Sequence, residues 1–469
     1  LDQNEYLDEG NMDSKEFDTI VRYSRLMEQK QEGFFDVEEF STIITHFISR
    51  YEIAKAQTAL QQGLAQHPGA IELSMNKAYL CLCNGNPDAC IKILGSLELL
   101  NPNNEDILCM KAEAYGQRGD AAKGIRILEG HLRATNELNS PTLIVQLAEL
   151  YMLESRYLDA ISTWKNLIQL EPRREDGLVA LLYCFKEADI IEEGLRYYQS
   201  ITDSDPYNSL AWVQVGECYA SIYQFDKAVE AYDYALAIDD ENLIALYNKA
   251  DSQFQDSKFA EAHSTYMELN QLTPKEAPVL CGIGESLEQL GEHLTAKNYF
   301  QQSISCDPHY ADARLGMAIC HEHLGDREIA LREMETVVAL QPDNGEYWYI
   351  YAELLSKAEV WDKGQLAFER AIQLSDAEPD YIYSQLDSLI EAKEWQSALE
   401  KVQSAFEIVG DVPDLYYRGI KALHLSGQRD EAIVLLQMLI ERHAQFKTLS
   451  VYYPDIFEEP EARELLNCS

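Results

Sequence analysis

Cysteine, histidine and carboxylate clusters are the residues here with the means to do chemistry. Cys81, Cys83 and Cys90 place three soft ligands within ten residues, a set that could hold zinc. Two of them lie two apart on one helix-periodic stretch, so a helix points their side chains in different directions. Cys320-His321-Glu322-His323 has the same flaw, since His321 and His323 do not converge at that spacing. Both groups are expected to be ordinary helix residues, with no metal. The chain holds no glycine-rich phosphate loop, no His-Glu-x-x-His and no Gly-x-Ser-x-Gly. The expectation is a chain with no catalytic residues, no cofactor and no enzymatic activity. Cys184, Cys218, Cys281 and Cys320 sit among apolar residues and read as buried free thiols, which suit a reducing compartment.

Charge narrows the partner class. The 469 residues include 38 Lys+Arg and 80 Asp+Glu, a formal net charge of −42. Apolar residues make up 46%, so the acidity belongs to a folded chain. Such a charge disfavours nucleic acid and anionic membrane as partners. No apolar run approaches the ~18 residues of a membrane span, so no direct membrane insertion is expected. The first twelve residues carry four acids and no base, unlike a secretory signal. The expected location is cytoplasmic, with export before Leu1 left open.

The elements that must carry these residues follow from an internal period. Pro172, Pro206, Pro274, Pro308 and Pro342 are 34 or 68 residues apart, and so are Pro68 and Pro102 by 34. A two-residue insertion near Asn136–Ser140 reconciles the two series. A second series in the same frame is small throughout: Ala56, Cys90, Gly124, Ala160, Gly194, Ala228, Ala262, Ala296, Ala330, Gly364, Ala398 and Ala432. A third is mostly small, with Ala78, Ala112, Ala148, Gly216, Ala250, Gly284, Ala318 and Ala352. Each period holds two apolar-periodic stretches separated by a short polar turn, often with Gly85, Gly119, Gly291, Gly325 or Gly427. Glycine can end the first helix and proline the second, so each period predicts a helical hairpin. Small residues at fixed positions let its helices approach closely.

Trp212, Val215, Gly216, Tyr219, Ala228, Tyr232 and Ala235 are the best single match to a known signature. The pattern resembles the tetratricopeptide repeat, W-x2-L-G-x2-Y, A-x3-F and P. Twelve units are counted from residues 37, 71, 105, 141, 175, 209, 243, 277, 311, 345, 379 and 413. The resemblance implies an all-α, right-handed α-solenoid, or superhelix, of tandem helical hairpins. Residues 1–36 read as an acidic N-terminal segment and capping helix, 37–446 as the solenoid, and 447–469 as a C-terminal cap. Asp13 would cap a first helix with apolar face Phe17, Ile20, Val21 and Met27. The tail from Gln445, with Tyr452, Tyr453, Pro454, Ile456, Phe457, Leu465 and Leu466, would pack over the last unit.

The resemblance also implies that unit positions 2, 5, 9, 12 and 13 line a concave groove. Position 2 is acidic in eight units, which the helix dipole explains. Position 9 is mid-helix and carries Glu113, Glu149, Glu217, Asp251, Glu285, Glu353 and Asp387. Position 5 supplies Tyr247, Tyr349, Tyr383 and Tyr417, and tyrosine suits an interface. The expected partner-binding residues are Tyr247, Asp251, Glu285, Tyr349, Glu353, Tyr383, Asp387 and Tyr417. The expected function is a non-enzymatic scaffold whose acidic, tyrosine-rich groove takes a protein or an extended basic segment. The alternative is a regulatory or assembly subunit of a larger enzyme or secretion complex whose active component is another chain. The bland alternative for the groove itself is a solvated acidic face.

Overall fold

The computed structural model describes residues 14–29, 31, 33–102, 104–135, 140–443 and 448–467. Among these residues the chain is helical throughout, with no strand. Twelve helical hairpins follow one another from Val37 to Arg442. Their first helices begin at Val37, Ile71, Glu105, Pro141, Glu175, Ser209, Leu243, Ala277, Ala311, Gly345, Pro379 and Pro413. These are the residues from which the repeat counts. The contacts divide the chain into two compact units, one ending at Asp239 and one starting at Asp240. Each contains six of the hairpins.

Local chemistry sets the helix ends. Asp36 and Glu39 form a capping box, in which the Asp36 carboxylate accepts from Glu39 N at 2.8 Å and Asp36 N donates to Glu39 Oε2 at 2.9 Å. Asn86, Asn104, Asn208, Asn242 and Asn344 cap their helices in the simpler way, each side chain accepting from a backbone N–H of the first turn. The link inside each hairpin turns on one residue with positive φ. Glycine holds that place at Gly85, Gly119, Gly291, Gly325 and Gly427. The other seven hairpins put Tyr51, Ser155, Asp189, Tyr223, Ser257, Glu359 and Lys393 there, at φ between 55° and 63°. The turn compensates for that conformation with hydrogen bonds. After Ser221, for example, Gln224 N donates to Tyr219 O at 2.9 Å and Tyr223 N to Ala220 O at 3.0 Å.

The small residues act where the two helices touch. All twelve of the second-helix series are buried. A Cβ on Gly216 would lie 2.3 Å from the Tyr232 ring, and one on Gly316 would lie 2.2 Å from Phe300. These rings therefore fill space that only a glycine leaves. Trp212 and Trp348 share a second device. Each indole N–H donates at 2.9 Å to the carbonyl of the preceding inter-hairpin proline, Pro206 or Pro342. The side chain thus ties its hairpin to the turn that enters it.

In the first unit the helix Ser14–Glu28 covers the first hairpin through Ile20 and Tyr23. Phe17, Val21 and Met27 are only half-buried, and Tyr23 does more of the covering than the apolar spacing implied. Its ring meets Phe35 edge-on at 5.5 Å and its hydroxyl donates to Gln62 Oε1 at 2.9 Å. Asp13 and the acidic residues before it lie outside the described residues. In the second unit the tail forms a helix at Leu449–Tyr452, a 3-10 turn at Pro454–Glu458 and a helix at Pro460–Asn467. Leu449, Tyr453, Ile456 and Ala462 are buried against Tyr416, Tyr417, Ile420, Leu436 and Leu439. Gln445, and the side chains of Phe457, Leu465 and Leu466, lie outside the described residues.

Candidate functional site

Within each unit, the first helices of most successive hairpins pack side by side, while second helices keep farther from one another. First helices therefore make the inner layer of each unit. Their N-termini carry the eight acids of position 2, all in the first helical turn, where the dipole favours them.

All eight residues singled out from the sequence fall in the second unit, and they form three groups. Tyr247, Asp251 and Glu285 lie together with Asp312, Tyr310 and Tyr347. Tyr247 is 37% exposed and meets Tyr266 edge-on at 6.0 Å. Burial raises the proton affinity of Glu285, and the charges of Asp312 and Asp251 add to that. Cys281 Sγ donates to it at 3.4 Å. Asp312 accepts a hydrogen bond from the Tyr347 hydroxyl of the next hairpin. An open cavity of about 370 Å³ lies beside Tyr247, lined by Leu243, Ile244, Leu269 and Val279.

The second group is Tyr349 with Glu353. Tyr349 stacks flat on Tyr381 at 4.2 Å, and its hydroxyl pairs with Ser384 Oγ at 3.1 Å. Glu353 is half-buried and has no ion-pair partner among the described residues. Tyr383, Asp387 and Tyr417 form the third group. Its centre is Arg418, which donates to Asp387 Oδ2 at 2.7 Å and to the Tyr383 carbonyl at 3.2 Å.

The family model of the tetratricopeptide repeat matches residues 287–354. Over those residues the chain carries tetratricopeptide repeats. The other tetratricopeptide proteins it resembles are distant. It is 22% identical over 211 residues to the BBSome complex member BBS4 of Bos taurus, covering 45% of this chain and 41% of that one. It is 27% identical over 125 residues to the CTR9 homolog of Arabidopsis thaliana, covering 26% of this chain and 12% of that one. The chain thus spans less than half the length of these curated relatives. Among solved structures, the Cut9–Hcn1 hetero-tetramer of the APC/C matches at 14% identity, with a TM-score of 0.44 and 86% of both chains covered. Among the described residues, no helix is long and apolar enough to cross a membrane.

Cys90 and Cys320 are buried and Cys83 is exposed. His321 is buried against Asp326, at 3.2 Å, while His323 turns away to stack on His293 at 4.3 Å. No set of three such ligands converges among the described residues.

Three residues of this face are not legible from the repeat frame: Arg418, Tyr452 and Tyr381. Arg418 occupies an ordinary helix position, and Tyr452 lies in the tail. Tyr417 is only 3% exposed, because the tail covers it. Asp387 is bonded by both Arg418 and the Tyr452 hydroxyl. Tyr417 and Asp387 therefore differ from the open groove residues expected of them.

A pH prediction follows from Glu285. Its folded carboxyl is raised above the ordinary 4.5, so the associated stability is present below that value and lost as pH rises through the folded one. Glu285→Gln should therefore raise the melting midpoint at neutral pH, and the gain should vanish as pH falls toward about 4.5. Glu459 works the other way. The His424 hydrogen bond lowers its value, so its contribution is lost only when pH falls below the ordinary range. Melting curves of wild type and Glu285→Gln across that range separate the two. A lower midpoint for the variant at neutral pH would contradict the burial argument.

Proposed function

We propose that this protein is a non-enzymatic scaffold whose inner face in the second unit takes an extended basic segment of a partner protein. The fold is that of protein-interaction scaffolds. The observation that supports the finer reading is the placement of Glu285 between Asp251 and Asp312, beside the half-exposed ring of Tyr247. Burial raises the proton affinity of Glu285, and repulsion from the charges of Asp312 and Asp251 adds to that. A lysine or arginine entering there would relieve that repulsion, and the tyrosines would give its aliphatic stem a surface. A terminal carboxylate would meet like charge instead. Membership of a larger assembly is compatible with this reading, since BBSome complex members are among the relatives. The partner would then be a fellow subunit.

The test uses a labelled lysine-rich peptide without aromatic residues. Binding is followed by anisotropy at low and high salt. Wild type should bind and should weaken with salt. Glu285→Lys, and the triple variant Tyr349→Ala/Glu353→Lys/Tyr383→Ala, should each lose about tenfold or more in affinity, or roughly 1.4 kcal/mol. A peptide ending in acidic residues should not bind. Equal affinity for all forms would make the acids a solvated face and overturn the proposal.

A further inference from the structure

The tail does more than cover the last hairpin. Leu449 and Ile456 are fully buried and Tyr453 nearly so, and these side chains anchor it. His424 holds it from the other side, through Tyr453 Oη at 2.7 Å and Glu459 Oε1 at 3.0 Å. Arg429 reaches the same Glu459 carboxylate at 3.3 Å. Tyr452 is partly buried against the core of the hairpin Pro413–Arg442. It also extends to the inner face of the preceding hairpin, where its hydroxyl donates to Asp387, 65 residues away in sequence.

The site that receives this ring is built for a phenol. Asp387 accepts from the hydroxyl on one oxygen and from Arg418 Nη2 on the other. Arg418 is buried and fixed by the carbonyls of Tyr383 and Asp414, at 3.2 and 3.1 Å. Its guanidinium lies 5.2 Å from the Tyr452 ring centre and the Lys421 ammonium lies 4.8 Å from it. Tyr417 sits alongside at 6.1 Å. Two cations on the ring favour an aromatic face and repel a basic side chain. The carboxylate oxygen favours a hydroxyl over a plain phenyl ring. This end of the inner face thus has a different preference from the acidic group around Glu285.

We infer that Asp387, Arg418, Lys421 and Tyr417 form a tyrosine-receiving pocket, that Tyr452 fills it as an internal ligand, and that a partner segment carrying a tyrosine next to basic residues displaces it. The inference rests on the reading of the inner face as a basic-segment site. It adds a second anchor of defined chemistry, and it makes the tail a competitor for that anchor. Glu353, on the neighbouring first helix, and Asp380 and Asp414, at the N-termini of theirs, offer carboxylates for the flanking basic residues.

The experiment compares three labelled peptides on the full chain: the lysine-rich peptide, the same peptide with one central tyrosine, and the same with phenylalanine there. The proteins are wild type, Tyr452→Ala and Tyr452→Phe. Tyr452→Ala should bind the tyrosine peptide about tenfold or more tightly than wild type does. The phenylalanine peptide should gain less, and the peptide without an aromatic residue should not gain. Tyr452→Phe keeps the ring and loses only the bond to Asp387, so it should show a smaller gain with the tail still docked. A tail that is only a cap would give a lower melting midpoint in Tyr452→Ala with no gain for the tyrosine peptide, and that result overturns the inference. If the plain lysine peptide still binds with the salt dependence expected of it, the wider reading of the face survives that failure. If no peptide binds any form, both fall.

Discussion

Ala296→Glu is expected to lower stability by about 4 kcal/mol or more, a large fraction of what holds a typical domain folded. Ala296 has no exposed surface and sits where the second helix His293–Cys306 meets its own first helix. A glutamate there must either bury an unpaired charge or push the helices apart. The control is Lys275→Ala in the turn between two hairpins. Lys275 is exposed, and its φ of 73° burdens lysine and alanine alike, so this change should stay within about 0.5 kcal/mol of neutral. Urea unfolding followed by circular dichroism checks both. Equal midpoints for the two variants would mean that the close helix contact at the small positions does not govern stability.

Gly316→Ala is expected to cost about 3 kcal/mol, although it adds one methyl group. That methyl would stand 2.2 Å from Phe300 Cζ, and Phe300 is wholly buried. The ring has little room to move, because it is also pressed close to a second glycine. Gly284 faces the same ring, and a Cβ there would be 2.7 Å from Phe300 Cε1. Phe300→Leu should open the room that the methyl needs. The double variant Gly316→Ala/Phe300→Leu should therefore be more stable than the sum of the single losses allows, by about 1 kcal/mol or more. Strict additivity in the double-mutant cycle would show that the ring already moves freely.

Much of the architecture can be read from residue types alone. The period locates the start of every first helix, and the twelve small residues from Ala56 to Ala432 mark the buried contact inside each hairpin. These features repeat, so each one is sampled many times along the chain. The turn geometry is half legible. Glycine announces positive φ, but Tyr51, Tyr223 and Lys393 do not, and they adopt it because a short link between two packed helices leaves no other path. The inner face is legible where one helix supplies the whole feature, as with Tyr349 and Glu353. It is not legible where the tail intervenes. Nothing in the repeat says that Tyr452 returns to Asp387, because that pairing spans 65 residues and occurs once. Tyr417 keeps the repeat position of Tyr247 and Tyr349, but the tail buries it.

Four of the cross-hairpin hydrogen bonds in the second unit span about one period. Tyr347 reaches Asp312, Tyr349 reaches Ser384, Ser356 reaches Ser388 at 2.8 Å and Arg418 reaches the Tyr383 carbonyl, all 32 to 35 residues apart. Each bond joins one period to its immediate neighbour. Removing or duplicating a whole period in the middle of the unit keeps first helix beside first helix at the new junction. Adding or removing half a period swaps inner helices for outer ones from that point on. Length in such a gene is therefore quantised. It can change by about 34 codons at a time at little cost in folding, and every residue added by that route extends the surface available to a partner.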